Sequence, residues 1–396
     1  MNNSRVIVAA LCAGVFVVGT SEYLVAGLLP QVGDSLGISV GAAGQVVTAY
    51  ALGVVIGGPL VAAATARLPR RPLALGLMLL FAAGSAVSAW APDFAVLLAG
   101  RVLSSFSHAA FVASALVTAT RVVPPERAGR AIAAVASGFT VATLLGVPIG
   151  ALLGERAGWR IPFVVLTALA LAATAMLAAV LPDQEAPSAS LRAETRLLIR
   201  GPVLLTVLTT AVGTSGAATV FTYIAPLLTR IAGFSAPAVS ALLLAYGGGS
   251  FAGNLIAGRL TDRSLGGTIR AVFGGLVGVL AAVPVAVVWQ PSAVLLVLLL
   301  GLLATATIAP LQGIVLRYAG AAPTLAVAVN VGAFNLGNAM GSAIGGAIVA
   351  AGALRWTGFA GALLTLIGLA LSYAAVPRSG TADEFLEPAA TRPART

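Results

Sequence analysis

The sequence has no lysine, one cysteine, one histidine and few acidic residues. Cys12 alone allows neither an intramolecular disulfide nor a cysteine cluster; it reads as a small apolar residue of the first helix. With one cysteine and one histidine, no metal site is expected. An intramembrane enzyme would need clustered His, Asp or Cys, or a Ser–His arrangement, at membrane depth. The lone His108 and the one deeply placed carboxylate fall on separate apolar segments, so neither catalytic residues nor cofactors are expected. Only 9% of the 396 residues are charged, against about 25% in a soluble domain. The alternating segments of about 10 residues that mark a β-barrel are missing. So are the filter loops or charge rings of a channel, and no soluble portion is large enough for a receptor.

What the chain has is apolar runs of about 18 residues or more, the length that crosses a hydrocarbon core. Breaks at charges, Pro and Gly predict twelve spans, at 6–29, 42–64, 72–91, 94–120, 131–153, 160–181, 202–229, 237–258, 268–289, 292–318, 324–352 and 356–376. The first continues past signal-peptide length, so it reads as a retained span. An even count puts both termini on one side. All 22 basic residues are arginine. Seventeen of them, from Arg5 to Arg395, fall on one face; Arg156, Arg160, Arg230 and Arg355 fall on the other, and Arg101 lies within a span. That bias predicts cytoplasmic termini, and it explains the net charge of +10 without a nucleic-acid partner. The expected architecture is an all-α membrane protein of two pseudo-symmetric six-helix bundles. These are residues 1–182 and 201–376, joined by a cytoplasmic linker at 183–200 and followed by a cytoplasmic tail at 377–396.

The halves are related. One and the same offset along the chain lays Tyr50, Gly53, Gly57 and Arg67 onto Tyr246, Gly249, Gly253 and Arg263. Glycines also recur every four residues at Gly146, Gly150 and Gly154 and again at Gly337, Gly341 and Gly345. Such spacing lets helices approach closely. Its occurrence in both halves suggests bundles that slide or rock against each other, with a site at the interface between repeats.

Glu22 is the one acidic residue deep inside an apolar segment. Burial disfavours the charged form of a carboxylate, and intramembrane ionisable groups mark proton, ion or substrate pathways. The alternative is a Glu neutralised by hydrogen bonds to Thr20, Ser21 or a neighbouring helix. In the fourth span Arg101, Ser105 and His108 stand at i, i+4 and i+7 and share one helix face. Arg101 either meets a carbonyl, carboxylate or water within the bundle or snorkels outward near Asp93. His108 either titrates or is a neutral, hydrogen-bonded side chain. The second half offers uncharged groups: Thr214, Ser215, Thr219, Phe221, Thr222 and Tyr223 in the seventh span, and Asn330, Phe334, Asn335 and Asn338 in the eleventh. The candidate proton-coupling residues are Glu22, Arg101 and His108. The candidate cavity residues are Tyr23, Ser105, Phe221, Tyr223, Asn330, Phe334 and Asn335, a mixture suited to a mid-sized, partly apolar molecule. Each is also open to reading as helix-to-helix glue.

These residues sit in patterns that resemble the major facilitator superfamily, specifically its twelve-helix drug:proton antiporters, over the chain up to Val376. Gly19-Thr-Ser-Glu-Tyr23 followed by Gly27-Leu-Leu-Pro30 resembles the helix 1 signature. Ala62 to Pro72 resembles the family's loop motif, with Ala62, Ala66 and Pro69 in place of its glycine, aspartate and second glycine; Gly258 to Arg263 keeps the acidic residue as Asp262. Arg101 matches the helix 4 motif, and Gly146, Pro148, Gly150, Gly154 and Gly158-Trp-Arg160 resemble the antiporter motif. The combination is most similar to actinobacterial chloramphenicol exporters, and exporters of sugars, nucleosides or related metabolites share much of it. The resemblance implies the major facilitator fold in the bacterial inner (cytoplasmic) membrane. It implies proton-driven export of a small drug-like substrate by a monomer using alternating access. It also implies a cytoplasmic latch of Arg67, Arg70 and Arg71 with Asp262 and Arg263.

Overall fold

The computed structural model describes residues 2–65, 68–124, 127–182, 201–318 and 323–376. The proposed linker at 183–200 and tail at 377–396 lie outside the described residues, as does Arg67. Twelve long helices follow one another: α1 (Asn2–Leu24), α2 (Gln45–Thr65), α3 (Arg70–Ala89), α4 (Phe94–Arg121), α5 (Arg130–Ala157), α6 (Ile161–Val180), α7 (Gly201–Phe221), α8 (Ala236–Arg263), α9 (Leu265–Ala286), α10 (Gln290–Tyr318), α11 (Pro323–Ala350) and α12 (Thr357–Ala375). Among the described residues eleven helical stretches are long and apolar enough to cross a membrane. The twelfth, α11, has 28 residues and carries Asn330, Asn335 and Asn338 among its apolar ones. At about 1.5 Å per residue it is long enough to span the core.

Local chemistry fixes the ends and bends. Asp93 caps α4, accepting from the Val96 N–H at 2.9 Å, and Ser264 caps α9 by accepting from Gly267 N–H at 3.2 Å, as short polar side chains do at helix starts. After α1 the chain makes a short helix, Leu29–Leu36, closed by Gly37 at φ 65°. That left-handed C-cap conformation is one glycine adopts without a Cβ penalty. In α5 a π turn at Ala142–Gly146 sits just ahead of Pro148. Proline has no N–H to give the preceding turn, and the extra residue of a π turn absorbs the missing bond.

Here the side on which α1 begins and α12 ends is the terminal side; the other is the far side. On the terminal side two arginines play matching parts: Arg71 donates to Ala178 O at the end of α6 (2.7 Å) and Arg270 to Val376 O beyond α12 (3.2 Å). Each places a cation at the negative end of a helix dipole. On the far side Trp90 and Trp289 are exposed at the ends of α3 and α9, and Trp356 is exposed before α12, the placement of interfacial aromatic anchors.

The internal repeat is a packing repeat. A side chain at Gly53 would strike Ser105 of α4, and one at Gly57 would strike Phe106. At the matching Gly249 and Gly253 it would strike Leu298 and Leu302 of α10. The offset that carries Gly53 to Gly249 also carries Val102 to Leu298 and Phe106 to Leu302, so the α2–α4 contact reappears as α8–α10. The four-residue glycine rows do something other than the sliding expected of them. Gly146, Gly150 and Gly154 of α5 seat Thr20, Leu24 and Leu28 of the first helical segment. Gly337, Gly341 and Gly345 of α11 seat Thr214, Ser215 and Thr219 of α7. Both rows hold one half together internally rather than lining the boundary between halves.

The halves meet through α2 against α11 and α5 against α8. A Cβ at Gly41 would sit 2.8 Å from Gly346 O. Ser342 Oγ donates to Gly44 O at 2.9 Å, and Tyr223 O–H donates to Ser342 O at 3.0 Å. Gly247 of α8 is pressed against the Thr143 and Leu144 backbone of α5. These contacts lie in the middle and far side of the helices, so the halves close on the far side and diverge toward the terminal side.

Candidate functional site

Where the halves meet at mid-depth, charged and polar groups form a connected cluster. Glu22, near the end of α1, is buried (8% exposed). Its Oε1 accepts from the Asn338 amide of α11 at 3.1 Å, a bond that crosses from one half to the other. Its Oε2 faces His108 Nε2 of α4 at 3.8 Å, beyond hydrogen-bond reach. His108 Nδ1 meets the Tyr50 hydroxyl of α2 at 3.1 Å, and its ring stacks on Phe139 of α5 at 5.7 Å. When Tyr50 donates to Nδ1, the imidazole proton sits on Nε2 and points at the carboxylate.

Arg101 completes the circuit. It is buried and donates to Ser21 Oγ at 2.7 Å and to Ser21 O at 3.0 Å, while its guanidinium lies 4.0 Å from the Tyr50 ring centre. The outward snorkelling reading therefore fails: the side chain points into the bundle, and Asp93 is occupied in capping α4. A buried arginine stacked on an aromatic face and bonded to a carbonyl gains cation–π and charge-assisted contacts at once. Asn338, Glu22, His108, Tyr50, Arg101 and Ser21 thus run as a chain through four helices and both halves. Beside it Tyr23 meets Phe221 edge-on at 6.1 Å, and Phe221 lies 4.4 Å from Tyr246. Tyr50 and Tyr246, the repeat-related pair, therefore both reach this centre.

The Major Facilitator Superfamily family model matches residues 11–324 and, in a second match, 214–395. The uncharacterized MFS-type transporter YfhI of Bacillus subtilis (strain 168) is 40% identical over 370 residues, 93% of each chain. This chain belongs to the Major Facilitator Superfamily. The inner membrane transport protein YdhP of Escherichia coli (strain K12) is 37% identical over 344 residues, covering 87% of this chain and 88% of that one. A chloramphenicol resistance protein of Streptomyces lividans is 39% identical over 342 residues, covering 84% and 86%. Among solved structures, a bacterial homologue of the human lysosomal transporter Spinster, inward-facing and unoccupied, superposes with a TM-score of 0.73 at 16% identity, over 94% of this chain and 97% of that one. As a member of the superfamily the protein is a multi-pass membrane transporter and not an enzyme. Among the described residues no group of three or more His, Cys, Asp or Glu side chains could hold a metal.

The other motif-bearing positions of this superfamily member lie apart from the cluster or at its edges. Ser105 donates to Val102 O at 2.7 Å and packs against Gly53, away from the carboxylate. Tyr223 lines a far-side crevice of about 570 Å³ between α2 and α11, with Gln45, Thr48 and Ser342. Asn330 is fully buried between Thr210 of α7 and Gln312 of α10. Phe334 packs within the second half beside Phe273 and Leu311. The Asn335 amide donates to Val331 O at 3.1 Å, and its buried Oδ1 has no partner among the described residues. Gly146, Pro148 and Gly150 are buried against α1. Of the latch residues that are described, Arg71 donates to Ala178 O within its own half, Arg70 is half-buried, and Asp262 and Arg263 are exposed at the end of α8. Sequence reading left Tyr50 and Asn338 out of the candidate site. Tyr50 carried a signal in its repeat partner; Asn338 looked like any other amide of α11.

Proposed function

We propose that this protein is a proton-coupled exporter of a small drug-like molecule, with a chloramphenicol-type antibiotic as the favoured substrate. It would work as a monomer by alternating access in the bacterial inner membrane, with both termini cytoplasmic. The observation that carries this reading is the bond between Glu22 and Asn338, because it ties an ionisable group of one half to the other half where they close. Opening the far side must part the halves and break that bond, leaving the carboxylate to take a proton from the external medium. Closing the far side returns Glu22 to its buried pocket, and the terminal side then offers a route for the proton into the cytoplasm. Substrate would enter the vacated cleft from the cytoplasm and leave when the far side reopens. Each proton entering provides about 2.3 kcal/mol per 100 mV. The chloramphenicol resistance of the Streptomyces lividans relative supports the substrate choice.

Everted vesicles from an efflux-deficient host test the proposal. After respiration acidifies the lumen, chloramphenicol is expected to make protons flow out, read as recovery of a quenched pH-gradient dye. No recovery with chloramphenicol, but recovery with a sugar or nucleoside analogue, would replace drug export by metabolite export.

A further inference from the structure

We infer that Gln312 of α10 is a substrate-binding residue that recognises a hydrogen-bond acceptor, such as a carbonyl or nitro oxygen, on an uncharged molecule; this rests on the export reading above. The lower part of α10 has three packed faces. Leu311 and Ile314 pack on Leu265, Ile269 and Phe273 of α9. Ala306 and Ala309 pack with Ala257 of α8, and Val315 packs on Ala326 of α11. The remaining face, at i, i+4 and i+8, is Ile308, Gln312 and Leu316, with Ile308 42% and Leu316 44% exposed. It lies between α8 and α11, the two helices that touch the other half, so it looks into the space between the halves.

Behind this face a directed chain of hydrogen bonds orients the amide. Thr210 O–H donates to Asn330 Oδ1 at 2.8 Å, and Asn330 Nδ2 donates to Gln312 Oε1 at 2.6 Å. Thr210 and Asn330 are fully buried, so Asn330, proposed from sequence as a cavity residue, is spent within the protein. Gln312 has its oxygen occupied, and its amide nitrogen has no partner among the described residues. A half-buried amide held this way presents N–H donors and no free acceptor, which selects for acceptor groups. The opposite half presents charge; this half offers neutral recognition. A site built to bond one polar group discriminates strongly against molecules that lack it.

Uptake of radiolabelled chloramphenicol, which carries carbonyl and nitro acceptors, into energised everted vesicles is the test, with Gln312→Glu and Gln312→Ala beside the wild type. Gln312→Glu keeps the volume and the oxygen that Asn330 bonds while removing the N–H donors. Both variants are expected to raise KM by about three- to tenfold, the worth of one neutral hydrogen bond, with maximal rate nearly unchanged. The affinity of the purified protein for chloramphenicol should fall by the same factor. Unchanged KM and affinity in both variants, or a fall in maximal rate alone, would overturn the assignment while leaving export standing. A wild type that neither binds nor transports chloramphenicol would overturn the drug-export reading and this inference with it.

Discussion

Glu22→Gln is expected to abolish uphill export while leaving a folded, membrane-inserted protein. Glutamine keeps the side-chain volume and an oxygen that can accept from Asn338, so the bond now measured at 3.1 Å across the halves has a replacement. What it lacks is a proton to release. With a neutral substrate exchanged for one proton, a potential of 100 mV supports an outward gradient of about fortyfold, since about 2.3 kcal/mol is available and about 1.4 kcal/mol is tenfold. The variant should equilibrate drug without accumulating it, so the ratio in energised vesicles should fall to unity. Drug resistance in an efflux-deficient host should fall to that of cells without the protein. Normal accumulation by Glu22→Gln would transfer the coupling role to another group.

The second large effect is expected from Gly41→Leu. The far side closes because α11 brings its backbone against Gly41 in the short helix Val40–Ala43, just before α2. At Gly41 the nearest obstacles are the backbone oxygen of Gly346, at 2.8 Å from a built Cβ, and the Ala350 nitrogen at 3.3 Å. Backbone atoms cannot rotate away as the tip of a flexible side chain can, and small residues at such crossings are what allow the approach. A leucine there should hold the halves apart, break the Ser342–Gly44 bond and stop turnover. The protein should accumulate open to the far side. In a Cys12→Ser background, Ser342→Cys should react with a membrane-impermeant maleimide far faster when Gly41→Leu is also present. Equal labelling with and without Gly41→Leu would show that this contact does not govern far-side closure.

The helices were legible in the sequence because hydropathy reads the same physics that places them: α4, expected at 94–120, is Phe94–Arg121, and α6, expected at 160–181, is Ile161–Val180. The register shift that matches Gly53 and Gly57 to Gly249 and Gly253 was legible because close packing needs glycine at matching places in both repeats. Which neighbour a glycine row faces was not legible. Gly146, Gly150 and Gly154 have the same spacing whether they meet α1 of their own half or the partner bundle, and the structure puts α1 there. The same limit applied to polar residues. Glu22 stood out because an acid at that depth is costly. Asn338, Tyr50 and Gln312 are cheap by comparison, and only the packing shows that one bonds Glu22, one joins His108 to Arg101, and one accepts from Asn330.

The most direct test of the account is proton release on drug binding by the purified protein in lightly buffered detergent solution. Adding chloramphenicol at a pH where the carrier holds its proton should acidify the medium by up to about one proton per protein bound, as expected when a ligand and a proton bind in competition, and Glu22→Gln should release none while still binding the drug. Equal proton release by the variant, or drug binding by the wild type without any release, would contradict the claim that Glu22 carries the proton that is exchanged for substrate.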